Sequence, residues 1–207
     1  MALTLGTNCG LVGTTPTDDP EGGGAATTVD KTSFGIKHSI GYDAFISAIG
    51  FYRQDAGTET PAFEVAIYDH DSTNDKPYHK IASAEGTVAS GAGWNSKSSL
   101  SVGILKDTNY WIVVKVANTT TAAKTDSETD TGERNIVGTA MPRLWSNAGT
   151  ATDDTIYAVY ATYEKFVDDV RKCDICGFNW RRKELKKDYK GNLVCRYDWD
   201  KRPRRRR

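Results

Sequence analysis

Apolar and polar residues alternate with a period of two in several short runs of this chain, and that pattern predicts strands. In residues 62–69, Phe63, Val65 and Ile67 fall on one face. In residues 110–117, Tyr110, Ile112, Val114 and Val116 share a face, with Trp111 and Val113 opposite. Residues 43–53 place Phe45, Ile49 and Phe51 in one register with Ser47 and Arg53, residues 98–104 alternate before turning at Lys106-Asp107, and residues 156–163 are rich in aromatic and β-branched residues. The connections carry Gly, Ser, Thr, Asn and Asp, and no segment before residue 160 shows a 3.6-residue apolar period. The expected fold class is all-β: an antiparallel, jelly-roll-like β-sandwich. Four parts are expected: an extended N-terminal arm over residues 1–30, a sandwich over 31–163, a linker over 164–172 and a small module over 173–207. The arm is too rich in Gly, Thr, Pro and Asp to form a core, so it is either disordered or held by something else.

The last segment reads differently. Cys173 and Cys176 are two residues apart and are followed by Gly177, the turn with which zinc sites aim two thiolates at one metal while backbone N–H groups point back at sulfur. A second half-site, Cys195 with Asp198, stands where a zinc ribbon would carry Cys-x-x-Cys. The candidate ligands are therefore Cys173, Cys176, Cys195 and Asp198, with carboxylate as the unusual fourth donor to structural zinc. A metal-free hairpin of the same shape, or a disulfide from Cys195 to Cys173 or Cys176, are the alternatives. No histidine lies in this segment, so neither an open catalytic zinc nor a general base is foreseen there. Within the module, strands are expected at 178–181 and 193–195, a loop or short helix at 183–187 and a turn at 190–192.

Charge adds a division that the formal net charge of zero conceals. Residues 1–165 carry 12 Lys+Arg against 20 Asp+Glu, or −8, and residues 166–207 carry 15 against 7, or +8, ending in Arg204, Arg205, Arg206 and Arg207. Two opposed surfaces on one chain favour contacts between copies. Four cysteines in 207 residues do not make a secreted disulfide scaffold. Neither a signal peptide nor a membrane span is expected.

Other constellations are weaker. Residues 69–75 crowd oxygen-bearing side chains, but Asn74 and Lys80 stand where a calcium loop needs Gly and Glu, which leaves an Asx-rich turn. His38, His70 and His79 are scattered, no nucleophile or carboxylate pair accompanies them, and the chain is read as a non-enzyme. Tyr52, Tyr68, Tyr78, Trp94, Trp111 and Trp145 are candidates for a glycan platform, for core or for a subunit interface. The arginine tail lacks the interleaved aromatics of a single-strand binder, so docking on acidic protein is favoured over nucleic acid.

Several segments resemble a known group. Met1-Ala2-Leu3-Thr4-Leu5-Gly6, Ile49-Gly50-Phe51-Tyr52-Arg53, the run from Phe63 to Asp69, Gly93-Trp94, Tyr110-Trp111 and Ile156-Tyr157 are similar to small tailed-phage virion β-sandwich proteins in the style of carbohydrate-binding modules. Cys173-Asp174, Gly177-Phe178, Leu185, Tyr189, Gly191, Val194-Cys195, Trp199 and Arg202-Pro203 resemble a zinc-ribbon-like phage module, although here the chain stops at an arginine run where that module continues. The resemblance implies a non-enzymatic bacteriophage structural protein, assembled in the host cytoplasm and localised to the virion. Its partners would be the major capsid protein, other virion proteins and copies of itself. Capsid decoration is the first function implied, and a receptor- or glycan-binding role on tail, collar or fibre is the alternative.

Overall fold

A computed structural model describes residues 3–20, 26–28, 32–117, 121–127, 133–137, 141–145, 150–153, 155–166, 170–175, 179–181, 185–188 and 190–195. It divides into two compact units, Met1–Lys165 and Phe166–Arg207. The boundary coincides with the change of charge from −8 to +8.

The first unit is all-β, with strands β1 (Gly10–Val12), β2 (Ala26–Thr28), β3 (Thr32–His38), β4 (Ala44–Arg53), β5 (Ala62–Asp71), β6 (Lys76–Thr87), β7 (Gly93–Ile104), β8 (Tyr110–Val116), β9 (Ala122–Ser127), β10 (Glu133–Val137), β11 (Thr150–Asp153), β12 (Thr155–Tyr157) and β13 (Val159–Lys165). One sheet has six strands in the order β11-β10-β3-β8-β5-β6. The other has seven, ordered β1-β13-β4-β9-β12, with β7 beside β4 and β2 beside β9. The architecture is of β-sandwich type. Phe34 of the six-stranded sheet meets Phe51 of the other edge-on at 6.1 Å and Tyr157 at 4.9 Å, and Phe51 meets Phe63 at 5.6 Å.

The expected inward face is present. Phe63, Val65, Ile67, Ile112, Val114 and Val116 are buried in one core. Strand β8 is buried along its whole length because its other face is covered too. Trp111 and Val113 pack with Ala66, Tyr68, Met141 and Trp145 in a second, smaller core outside the six-stranded sheet. The segment bearing Met141 is held along β6 by Lys80 N–H to the Arg143 carbonyl (2.9 Å) and Trp145 N–H to the Tyr78 carbonyl (2.8 Å).

Three expectations need correction. In β4 the inward residues are Ala44, Ile46, Ile49 and Phe51, while Phe45 is only half-buried. The pairing of β4 with β7 shifts between Ile46 and Ala48, and such a bulge inverts the side-chain alternation. Residues 156–163 are not one strand: Ala158 separates β12, which pairs with β9, from β13, which pairs with β4 and β1. The linker over 164–172 is largely strand, since 164–165 finish β13 and 170–172 form β14 (Val170–Lys172) of the second unit. Part of the N-terminal arm lies on the body. β1 pairs in parallel with β13, and Leu3, Cys9, Leu11 and Val12 are buried.

Arg53 ends β4 as a cross-brace. Its side chain is 1% exposed, with Nε and Nη2 donating to Asp55 Oδ2 (2.9 and 2.6 Å) and Nη1 donating to the Glu59 and Ala89 carbonyls (2.7 and 2.9 Å). Removing a buried charge from such a site orphans its partners, so Arg53→Ala is expected to destabilise the body by about 3–5 kcal/mol. A chemical denaturation midpoint within error of wild type would refute that reading of the brace.

Candidate functional site

The second unit contains β14, β15 (Asn179–Arg181), β16 (Leu185–Lys187) and β17 (Leu193–Cys195). β14 pairs with β15, and β16 pairs with β17, all antiparallel. The return strand at 193–195 was foreseen, whereas 185–187 is a strand rather than a loop or helix. The β16–β17 turn is built on Asp188. Its carboxylate accepts N–H bonds from Lys190 (2.8 Å) and Asn192 (2.9 Å) and one from the Asn192 side chain (3.0 Å), while Gly191 takes a φ of +91°. Desolvation acts to raise the Asp188 carboxyl, but the hydrogen bonds from Asn192, Lys190 and Gly191 outweigh it and hold the group below its ordinary value.

This hairpin brings together two cysteines that are 22 positions apart. Cys173 and Cys195 are both buried, at 1% exposure each, beside Leu185 and Val194. The Cys195 backbone N–H donates to Cys173 Sγ at 3.4 Å. The strand end is pinned in the same place, with Asp174 N–H to the Leu193 carbonyl (2.8 Å) and Leu193 N–H to Asp174 Oδ2 (2.6 Å). An N–H aimed at cysteine sulfur stabilises thiolate over thiol, which is the state a metal requires. Cys176 and Asp198, the other two candidate ligands, lie outside the described residues, as does the tail Arg204–Arg207. Among the described residues no group of three or more metal-ligating side chains forms.

Apart from Tyr78, which is 40% exposed, the candidate aromatics are built into the packing of the body. Tyr52, Tyr68, Trp111 and Trp145 are 5%, 0%, 0% and 2% exposed, so no ring face of theirs is open for a sugar to stack on. Trp94 is half-buried, edge-on to Tyr52 and Tyr160 at 5.2 Å each, with its indole N–H donating to the Asp18 carbonyl (2.8 Å). The Tyr68 hydroxyl donates to the Pro142 carbonyl (2.7 Å), which ties the outer segment to the sheet. Burial first, and the Glu64 charge second, raise this phenol well above its ordinary range.

Residues 71–74 form the foreseen Asx turn, with Asp71 Oδ1 accepting from Thr73 and Asn74 N–H groups and Oδ2 from the Asn74 amide. The three histidines, unremarkable in sequence, each have a defined partner. Trp111 Nε1 donates to His70 Nδ1 (3.1 Å), His79 Nδ1 stands 3.4 Å from Asp69, and Leu11 N–H donates to His38 Nδ1 (2.8 Å). No linear motif announces these contacts, because each joins residues from separate strands or loops. No helix among the described residues is long and apolar enough to cross a membrane. Compared with family models, characterised proteins and solved structures, the chain matches none.

Proposed function

We propose that this protein is a non-enzymatic structural component of a tailed-phage virion that decorates or cements the capsid. The observation that carries the reading is the division into two compact units of opposite charge: a −8 sandwich and a +8 module with a cysteine-centred hairpin. One unit can grip an oppositely charged particle surface while the other faces solvent or a neighbouring copy. The module is a zinc-supported knuckle in this reading, with Cys173, Cys176, Cys195 and Asp198 as ligands. The convergence of Cys173 and Cys195 and the N–H directed at sulfur support it.

The alternative, a glycan- or receptor-binding module on tail, collar or fibre, requires ring faces open to solvent. Burial of Tyr52, Tyr68, Trp111 and Trp145 makes cementing the better-supported use of the body. Imaging purified particles with this chain tagged tests the choice. Label distributed over the capsid supports decoration. Label confined to tail or collar favours the alternative, and particles without label refute both.

A further inference from the structure

The N-terminal segment is fastened to the body by a contact that works in only one protonation state. Residues 3–12 lie on the sandwich with Leu3, Cys9 and Leu11 in the main core. Their only described ladder is the three-residue parallel pairing of β1 with β13, a short ladder of the less stable kind. Within the segment, Gly6 N–H donates to the Cys9 carbonyl, and Asn8 Oδ1 accepts from Thr4 N–H. These bonds shape the segment.

His38, at the end of β3, adds a side-chain anchor to that ladder and core burial. Leu11 N–H donates to its Nδ1 at 2.8 Å, so that nitrogen carries no proton and the neutral ring is protonated at Nε2. The fit is close: a Cβ on Gly10 would lie 2.6 Å from Nδ1, and Gly10 takes a φ of +72° to allow the approach. Adding a proton to the ring places an N–H at Nδ1, directly against the Leu11 N–H. Two donors then face each other in a half-buried contact, and one hydrogen bond is lost.

We propose that residues 3–12 are a proton-released strap, latched by neutral His38 and freed from the edge of β13 when that ring takes up a proton. The strap contributes the Cys9 thiol as its one ionisable side chain, and β8 contributes Tyr110, the cross-strand partner of His38, whose hydroxyl accepts from Leu105 N–H. Burial is the cause that holds the ring below its ordinary 6.5. The sign follows: the latch is intact above 6.5, the released strap binds the proton more readily, and closure weakens as pH falls below that value. Release uncovers Cys9 and the backbone edge of β13, a template to which another strand can add.

Hydrogen exchange and thiol labelling of the full chain test this, both corrected for their intrinsic pH dependence and read peptide by peptide between pH 7.5 and 5. Protection of Leu11 and of Cys9 is expected to fall by up to roughly tenfold for each unit separating the latched pKa from 6.5, with β4 and β8 unchanged. In His38→Asn, whose side-chain oxygen can accept from Leu11 without titrating, protection is expected to persist at pH 5. The proposal is overturned by unchanged strap protection in the wild type, by equal loss in His38→Asn, or by simultaneous loss across the whole body. If His38→Asn does not fold, the wild-type comparison of strap with β4 and β8 decides alone.

Discussion

Val114→Asp is expected to yield no folded body. Val114 is fully buried at the centre of β8, opposite Phe34 on β3 and Val65 on β5, and it faces the core between the two sheets. A carboxylate there has no partner, and burying it costs several kcal/mol whether it stays charged or takes up a proton. Domains of this size have a total stability of roughly 5–15 kcal/mol, so most of that margin is lost. Ser101→Asp on β7 is the control. That side chain is exposed, and its replacement is expected to change stability by no more than about 0.5 kcal/mol. Soluble expression and thermal melting compare the two. A soluble Val114→Asp protein with a cooperative melt near wild type would show that the register of β8 is wrong.

The second large effect concerns the module. Cys173→Ser is expected to abolish amide protection at Leu185, Val194 and Cys195 while leaving the melt of the sandwich in place, and chelation of the wild type should have the same result. Among its described residues, the small core of this unit comprises Cys173, Leu185, Val194 and Cys195, with Leu193 against it. A unit of some forty residues is too short for its own apolar core to offset its ordering entropy without a further constraint. Structural zinc contributes about 10–16 kcal/mol in small finger domains at neutral pH, enough to decide whether such a unit folds. Elemental analysis of reduced protein should find about one zinc per chain. An ordered hairpin without metal would leave only the metal-free reading of the same shape.

How far the fold could be read in advance depended on where large apolar side chains fell. β5 and β8 were legible because Phe63, Val65, Ile67, Ile112, Val114 and Val116 alternate in long strands. β6 was missed because its half-buried positions after Lys80 are Ala82, Ala84 and Gly86, small residues that make room for neighbours. Gly86 lies beneath the Phe63 ring, where a Cβ would come within 2.6 Å of Cζ. An apolar count cannot detect a strand whose inward face is nearly empty of side chain. The strand at 32–38 carries Phe34 and Ile36 in the right period, but Gly35 and the polar ends shorten the signal. Bulges defeat period counting altogether, which is why Phe45 was assigned to the face that Ile46 occupies.

The candidate site was legible in part. Spacing alone suggested that Cys173 and Cys195 meet, and the hairpin brings them together. Aromatic content could not separate surface from core, because a ring in a strand serves either equally well. Tyr68 and Trp111 were hidden by the outer layer from Met141 to Trp145, a contact made by residues some seventy positions from Tyr68. The strap latch joins Leu11 to His38 across 27 positions, and nothing in the local sequence of either marks the pair.

The most direct test of the functional account is quantitative mass spectrometry of purified phage particles carrying this gene. The account predicts the chain in fixed proportion to the major capsid protein, with both the sandwich and the module present. It also predicts that the chain leaves the particle at high salt, when attraction between surfaces of opposite charge is screened. A chain found only in the soluble lysate, and never in particles at any salt concentration, would contradict it.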